Sequence, residues 1–266
     1  MKNIGFLQFG ALGDCLLATV IAKEVRERHM NDRITWVLLD CFREVAQGCP
    51  WVDDYVAWPL HRGITRQSQE MAAWKTIKAW SIDAFDLTYK PQCYPDHDWT
   101  LKPNVHLLDQ MAEYAGVTID PDNRRIGYVS RSRDWLRLPP KCPTVTINCR
   151  GNTQRPVLTD DQWLEVAVIL GQYGIDPVFG DRDPSRAMTL SRWCSTIDTS
   201  DLHVGYNSGG AWLAAATQTP QIVIHGKDKC TPDWLDSVKQ ANIKKDVTEM
   251  VSPTVDVVAA ILERVL

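Results

Sequence analysis

Three short stretches of the 266-residue chain combine residue types and spacings that can do chemistry. The first is Gly10-Ala11-Leu12-Gly13-Asp14, between an apolar run and an amphipathic segment. Its glycines allow a tight turn that sets a carboxylate at the start of a helix. There Asp14 serves as a helix cap, as a general base, or as both. The stretch is neither a dinucleotide fingerprint nor a Walker loop, because G-x-G-x-x-G and G-K-[ST] are both absent. The second stretch, Asn207-Ser208-Gly209-Gly210, follows the apolar run Leu202 to Tyr206 and opens an Ala-rich helix. The N–H groups that begin such a helix can hold an anion such as a diphosphate. The plainer account is a strand-to-helix turn that uses Asn and Gly for their backbone tolerance. The third stretch, Arg150-Gly151-Asn152-Thr153-Gln154-Arg155, follows Val145 to Asn148. Arg and Thr can grip phosphate oxygens through charge-assisted bonds; a solvated loop explains the same residues equally well.

The elements that must position these residues alternate between strand and helix. Ile4 to Phe9 is an apolar run, and Leu17, Val20, Ile21 and Val25 then share a helical face. Ile34 to Leu39 reads as a buried strand, which completes a βαβ unit and implies a parallel sheet with a right-handed crossover. Gly48-Cys49-Pro50 breaks a short helix. Tyr55 to Trp58 and Phe85 to Tyr89 read as further strands, with a helix across 67–80 between them and another closed by Gly116. Pro139, Pro140 and Pro143 interrupt the pattern, and the domain linker is placed at 131–143. A second α/β pattern follows. Val145 to Asn148, Pro177 to Phe179, Leu202 to Tyr206 and Gln221 to His225 are its strands, and Thr159 with Gln162 forms a capping box before a helix. Ser252-Pro253 starts a last helix. The expected domains are 1–135, 136–252 and a C-terminal helix at 253–266 that packs back on the first domain. Strand ends and their turns gather on the carboxyl edge of each sheet, where ligands of open parallel sheets bind. Two such edges facing across a cleft suit a two-substrate transfer.

Composition narrows the field. Apolar content of 44% with 23% charge is that of a globular protein, and a net charge of −4 exerts no global pull on nucleic acid or anionic lipid. The eight cysteines form no CxxC pair and no zinc-ligand spacing. No signal peptide is visible at Met1, and no apolar run approaches the ~20 residues of a membrane span. The expectation is a cytoplasmic protein with reduced thiols and no metal site. Eleven tryptophans stand out, but such side chains mostly fill cores.

Taken together the positions resemble glycosyltransferase family 9, the heptosyltransferases of lipopolysaccharide core synthesis. The resemblance runs through Gly13 to Thr19, Ile34 to Val37 and Gly48 to Tyr55 in the first half. In the second half it runs through Thr153 to Trp163 and Asn207 to Gly226, in the same order. It implies two Rossmann-like α/β domains facing across a cleft, the glycosyltransferase B type. It implies transfer of a sugar from a nucleotide-diphosphate sugar to a hydroxyl acceptor with inversion, Asp14 being the general base. Gly13, Arg150, Thr153, Arg155, Asn207, Ser208, Gly209 and Gly210 match the binding positions, the last three with Thr153 and Arg155 as diphosphate contacts. Asp183 matches an acidic residue on the nucleoside. The nucleotide sugar is a co-substrate, with no separate cofactor.

The chain departs from the family pattern where Asn207 stands for an Asp and Trp212 for a His, and it is short for the family. The resemblance implies as acceptor a lipopolysaccharide-core-like glycan, met by peripheral contact at a membrane, or another glycan. The short chain implies trimmed acceptor-side loops in the first half, which suit an acceptor other than lipopolysaccharide. Two alternatives stand beside the enzyme reading. One is a sugar-nucleotide-binding protein that has lost turnover. The other is a transferase acting on a hydroxylated nucleobase in DNA, with Arg124, Arg125, Arg131, Arg133 and Arg137 tracking phosphates; a solvated linker is the blander account of those arginines.

Overall fold

The computed structural model describes residues 1–59, 66–91, 102, 104–129, 142–149, 157–180, 189–226, 238–243, 246–251, 253 and 256–266, with the backbone alone at 66–73. Contacts divide the chain into two compact units, Met1–Val129 and Ser130–Leu266.

The first unit runs β1 (Asn3–Leu7), α1 (Leu12–Arg28), β2 (Arg33–Leu39), α2 (Arg43–Gly48), β3 (Asp54–Trp58), α3 (Arg66–Ala84), β4 (Leu87–Tyr89) and α4 (Leu107–Ala115). Its four strands pair in parallel in the order β3-β2-β1-β4. Parallel pairing requires cover on both faces, so the central strands read as continuous apolar runs. Leu7, Phe9, Val37 and Leu39 pack against Trp74 and Ile77 of α3. Phe6 meets Trp36 edge-to-face at 5.1 Å. Arg26 of α1 ties the chain before β2 to the chain between α2 and β3: it donates to the carbonyls of Asp32 (2.9 Å) and Trp51 (3.2 Å) and to Asp53 Oδ2 (2.5 Å). The same Asp53 oxygen accepts the Ile34 amide at 2.7 Å, so one arginine fixes how β3 approaches β2.

The second unit runs β5 (Thr144–Asn148), α5 (Asp160–Gln172), β6 (Asp176–Phe179), α6 (Leu190–Asp198), β7 (Leu202–Tyr206), α7 (Gly209–Thr217), β8 (Gln221–His225), β9 (Val247–Val251) and α8 (Asp256–Val265). The five strands are all parallel, in the order β6-β5-β7-β8-β9. The capping box at α5 forms as the sequence implies: Thr159 Oγ1 accepts from the Gln162 amide (3.2 Å) and Gln162 Oε1 from the Thr159 amide (2.8 Å). Helix α6 and strand β9 were absent from the sequence reading. Val257, Val258 and Ile261 of α8 sit in the core of the second unit, beside Trp163, Val166 and Leu170 of α5.

The two faces of this second sheet differ in chemistry. Strand side chains alternate between faces. Val145, Ile147, Leu202, Val204, Tyr206, Ile222 and Ile224 join the apolar core with α5 and α8. The alternate positions of β5, β7 and β8 are mostly polar yet buried: Thr144, Thr146, Asn148, His203, Gln221 and His225, with Gly205 and Val223 between them. Helix α7 covers polar residues of that face, its Gly210 lying against Asn148 and His203. No described helix is long and apolar enough to cross a membrane.

Gln221 is the costly member of the polar face. It is fully buried, and neither its amide oxygen nor its nitrogen has a hydrogen-bond partner among the described residues. A buried polar group left unpaired costs about 1–3 kcal/mol. Gln221→Met keeps the volume and removes both polar atoms, so it is expected to stabilise the fold by about 1–2 kcal/mol in urea unfolding. A lower midpoint in the variant would show that the amide contributes to stability.

Candidate functional site

Asp14 sits in the first turn of α1, and Gly13 lies beside it within the helix. Its Oδ2 accepts the Ala11 amide at 2.8 Å, which orients the carboxylate against the turn after β1. The turn is held a second time by buried Gln8, whose Oε1 accepts the Gly10 amide at 3.0 Å. A side chain at Gly10 would place its Cβ 2.5 Å from Asp14 Oδ2, so glycine is required for the carboxylate to lie where it does. The cap role considered for Asp14 is therefore present. It leaves the base role compatible, because a carboxylate has two oxygens and about four lone-pair sites.

The turn between β7 and α7 is built differently. Ser208 is the residue before α7, in an extended conformation (φ −149°, ψ −174°), yet its hydroxyl makes no cap to the helix. The Ser208 Oγ instead accepts from Asn148 Nδ2 at 3.0 Å, at the end of the neighbouring strand β5. Gly205 and Gly210 make room for this clamp. A Cβ at Gly210 would lie 2.6 Å from Asn148 Nδ2, and one at Gly205 would lie 2.9 Å from Asn148 Cβ. The first amides of α7, at Gly209, Gly210 and Ala211, thus begin at the carboxyl edge of the sheet with no side-chain cap from Ser208. Such a helix start attracts anions through its N–H groups and its dipole.

Asn207 is buried, and its side chain turns inward: Nδ2 donates to the Val238 carbonyl (3.4 Å) and Oδ1 accepts from Gln240 Nε2 (3.1 Å). Trp212 is buried in α7. Arg150, Thr153, Arg155 and Asp183 lie outside the described residues. The amides of Val157 and Leu158 both donate to Tyr206 Oη at 2.9 Å. The structure therefore gathers Asn148, Tyr206, Asn207, Ser208, Gly209 and Gly210 in the second unit and places Gly13 and Asp14 in the first.

Asn148, Gln240 and the Tyr206 hydroxyl escaped the sequence reading. Asn148 had a signal, a polar residue ending an apolar strand just before the Arg-Gly turn; Gln240 had none. Of the arginines suggested for a nucleic acid track, Arg124 is paired with Asp109 at 2.7 Å and Arg125 is exposed, while Arg131, Arg133 and Arg137 lie outside the described residues. Burial raises the Cys49 and Cys194 thiols to about 12, which keeps both protonated and unreactive at neutral pH.

No family sequence model matches the chain, and no curated protein sequence does. Solved structures do match it. The E. coli heptosyltransferase WaaC, solved with ADP, superposes with a TM-score of 0.68 at 12% identity, covering 99% of this chain and 100% of that one. The same enzyme with ADP-2-deoxy-2-fluoro heptose gives a TM-score of 0.64 at 13% identity, over 98% and 99% of the two chains. A family 9 glycosyl transferase from Veillonella parvula gives 0.64 at 15% identity, over 100% of this chain and 90% of that one. The likeness spans both units, and the chain therefore has the α/β fold of these glycosyltransferases, with two Rossmann-like units in tandem.

Proposed function

We propose that the chain is a glycosyltransferase whose second unit binds a nucleoside-diphosphate sugar and whose first unit serves the hydroxyl acceptor. The observation that carries the reading is the start of α7. Its amides open at the carboxyl edge of a parallel sheet, and the serine that would cap them is turned onto Asn148. The structures similar to this chain include glycosyltransferases solved with ADP and with an ADP-heptose analogue, which supports a nucleotide donor. Arg150, Thr153 and Arg155 are assigned to the same diphosphate, and Asp183 to the nucleoside.

In this mechanism the Asp14 carboxylate takes the proton of the acceptor hydroxyl as that oxygen bonds to the anomeric carbon. The bond from the anomeric carbon to the diphosphate breaks on the opposite face, with inversion, and the nucleoside diphosphate leaves with the electron pair. The α7 amides and the two arginines stabilise the charge that develops on the leaving oxygens. The acceptor is a lipopolysaccharide-core-like or other glycan.

A second reading, nucleotide-sugar binding without turnover, is favoured by Asn207 and Trp212, which stand where the family pattern has an Asp and a His.

Three measurements test the proposal. Calorimetric titration with ADP, GDP, UDP and CDP is expected to show binding of at least one, unchanged by EDTA; binding to none, or binding lost with chelator, removes the donor assignment. Gly210→Ala forces the Asn148 amide off Ser208 and is expected to weaken that binding about tenfold while the protein stays folded, an overpacking effect of about 1–3 kcal/mol. Asp14→Asn keeps an oxygen for the Ala11 amide, so unfolding should shift by no more than about 1 kcal/mol. Its sugar transfer, or donor hydrolysis where no acceptor is at hand, should fall by about 10² or more. Wild-type turnover in Asp14→Asn would leave the residue as a cap.

A further inference from the structure

Behind the turn that opens α7 lies a chain of polar side chains drawn from four separate places. Asn207 Oδ1 accepts from Gln240 Nε2 at 3.1 Å. The backbone amide of Gln240 donates to Glu249 Oε1 of β9 at 2.6 Å. The other Glu249 oxygen lies 3.2 Å from Nε2 of His225, the last residue of β8. Gln240 and His225 are fully buried, Asn207 is 9% exposed and the Glu249 side chain 12%. Gln240 Oε1 is itself buried with no hydrogen-bond partner among the described residues. The side-chain bond that the Gln240 amide does make is the one to Asn207, and what that bond sets is geometry.

The geometry concerns the turn. Its two residues are gripped from different directions: Ser208 by Asn148 of β5, and Asn207 by Gln240. Asn207 also donates to the Val238 carbonyl at 3.4 Å while accepting from Gln240. An amide does both; an ionised carboxylate accepts and cannot donate. The asparagine at 207 is thus matched to Gln240 and Val238.

We propose that Gln240, held by Glu249, is a positioning residue for the diphosphate: through Asn207 it sets the direction in which the first α7 amides point. This inference rests on the donor reading given above. Gln240 touches no ligand in this scheme and acts only by holding Asn207.

The test uses the full chain titrated with ADP, GDP, UDP and CDP. Gln240→Met preserves the volume and removes the amide donor. It is expected to lower affinity for whichever diphosphate the wild type binds by about tenfold, with circular dichroism unchanged. Because Gln240 acts through Asn207, Gln240→Met should produce no additional loss on an Asn207→Ala background. A contact that serves folding alone would lower the unfolding midpoint and leave the affinity of the folded protein as it was. Glu249→Ala, which releases the Gln240 amide, should also weaken binding several-fold and serves if Gln240→Met does not fold. If neither variant folds, hydrogen exchange on the wild type decides: a bound diphosphate should slow exchange of the Gln240 backbone amide. Wild-type binding with undiminished affinity in a folded Gln240→Met, additive losses in the double variant, or unchanged Gln240 exchange overturns the positioning role alone. Binding of none of the four diphosphates by the wild type overturns the donor reading and this role with it.

Discussion

Parallel pairing is the constraint from which the rest follows. Parallel neighbours cannot be joined by a tight hairpin, so each strand returns through a crossover and every strand of a sheet ends at the same edge. In the second unit this gathers Asn148, the Asn207-Ser208 turn and His225 at the ends of three adjacent strands, although they are far apart in the chain. In the first unit it places the Asp14 turn directly after the central strand β1. The same constraint demands cover on both faces of each sheet. Helix α7 therefore serves twice, as a lid over the polar face and as the element whose first amides meet the edge.

Much of this was legible in the sequence where local chemistry decides it. The strands Leu202–Tyr206 and Gln221–His225 were read with their observed bounds, because buried parallel strands are short apolar runs ended by turn residues. The α5 cap was legible because Thr159 and Gln162 satisfy each other's amides within four residues. Strand β9 was not, since Thr248 and Glu249 interrupt its apolar residues, and the partner Glu249 meets, His225 of the neighbouring strand β8, is distant in the chain. Helix α6 escaped because Leu190–Asp198 is polar on one side and follows a stretch with no strong start signal apart from Thr189, whose hydroxyl accepts the Arg192 amide. For α8 the limit is of a related kind: an amphipathic pattern shows that a face is buried, and not against what.

The candidate site shows the same division. Gly13, Asp14, Ser208, Gly209 and Gly210 stood out because glycine and small polar residues at strand ends carry local meaning. Their partners carry none. Asn148 lies 60 residues from Ser208, and Gln240 lies 33 from Asn207. A glutamine in the middle of a polar stretch looks like solvated surface until the fold encloses it. Asn207, read first as a binding residue, points its side chain inward, so in this scheme its part in ligand recognition is played through the backbone it holds.

The composition of α7 has a consequence for the thermodynamics of recognition. Its buried residues run from Gly210 to Ala216, and four of those seven are alanines. Alanine and glycine have no rotamers to freeze, so burying this helix forfeits little side-chain entropy. With the turn pinned by amide clamps, little disorder remains to be lost when an anion arrives at its first amides. Association at that point should then show a small entropic penalty, most of the ordering having been completed during folding.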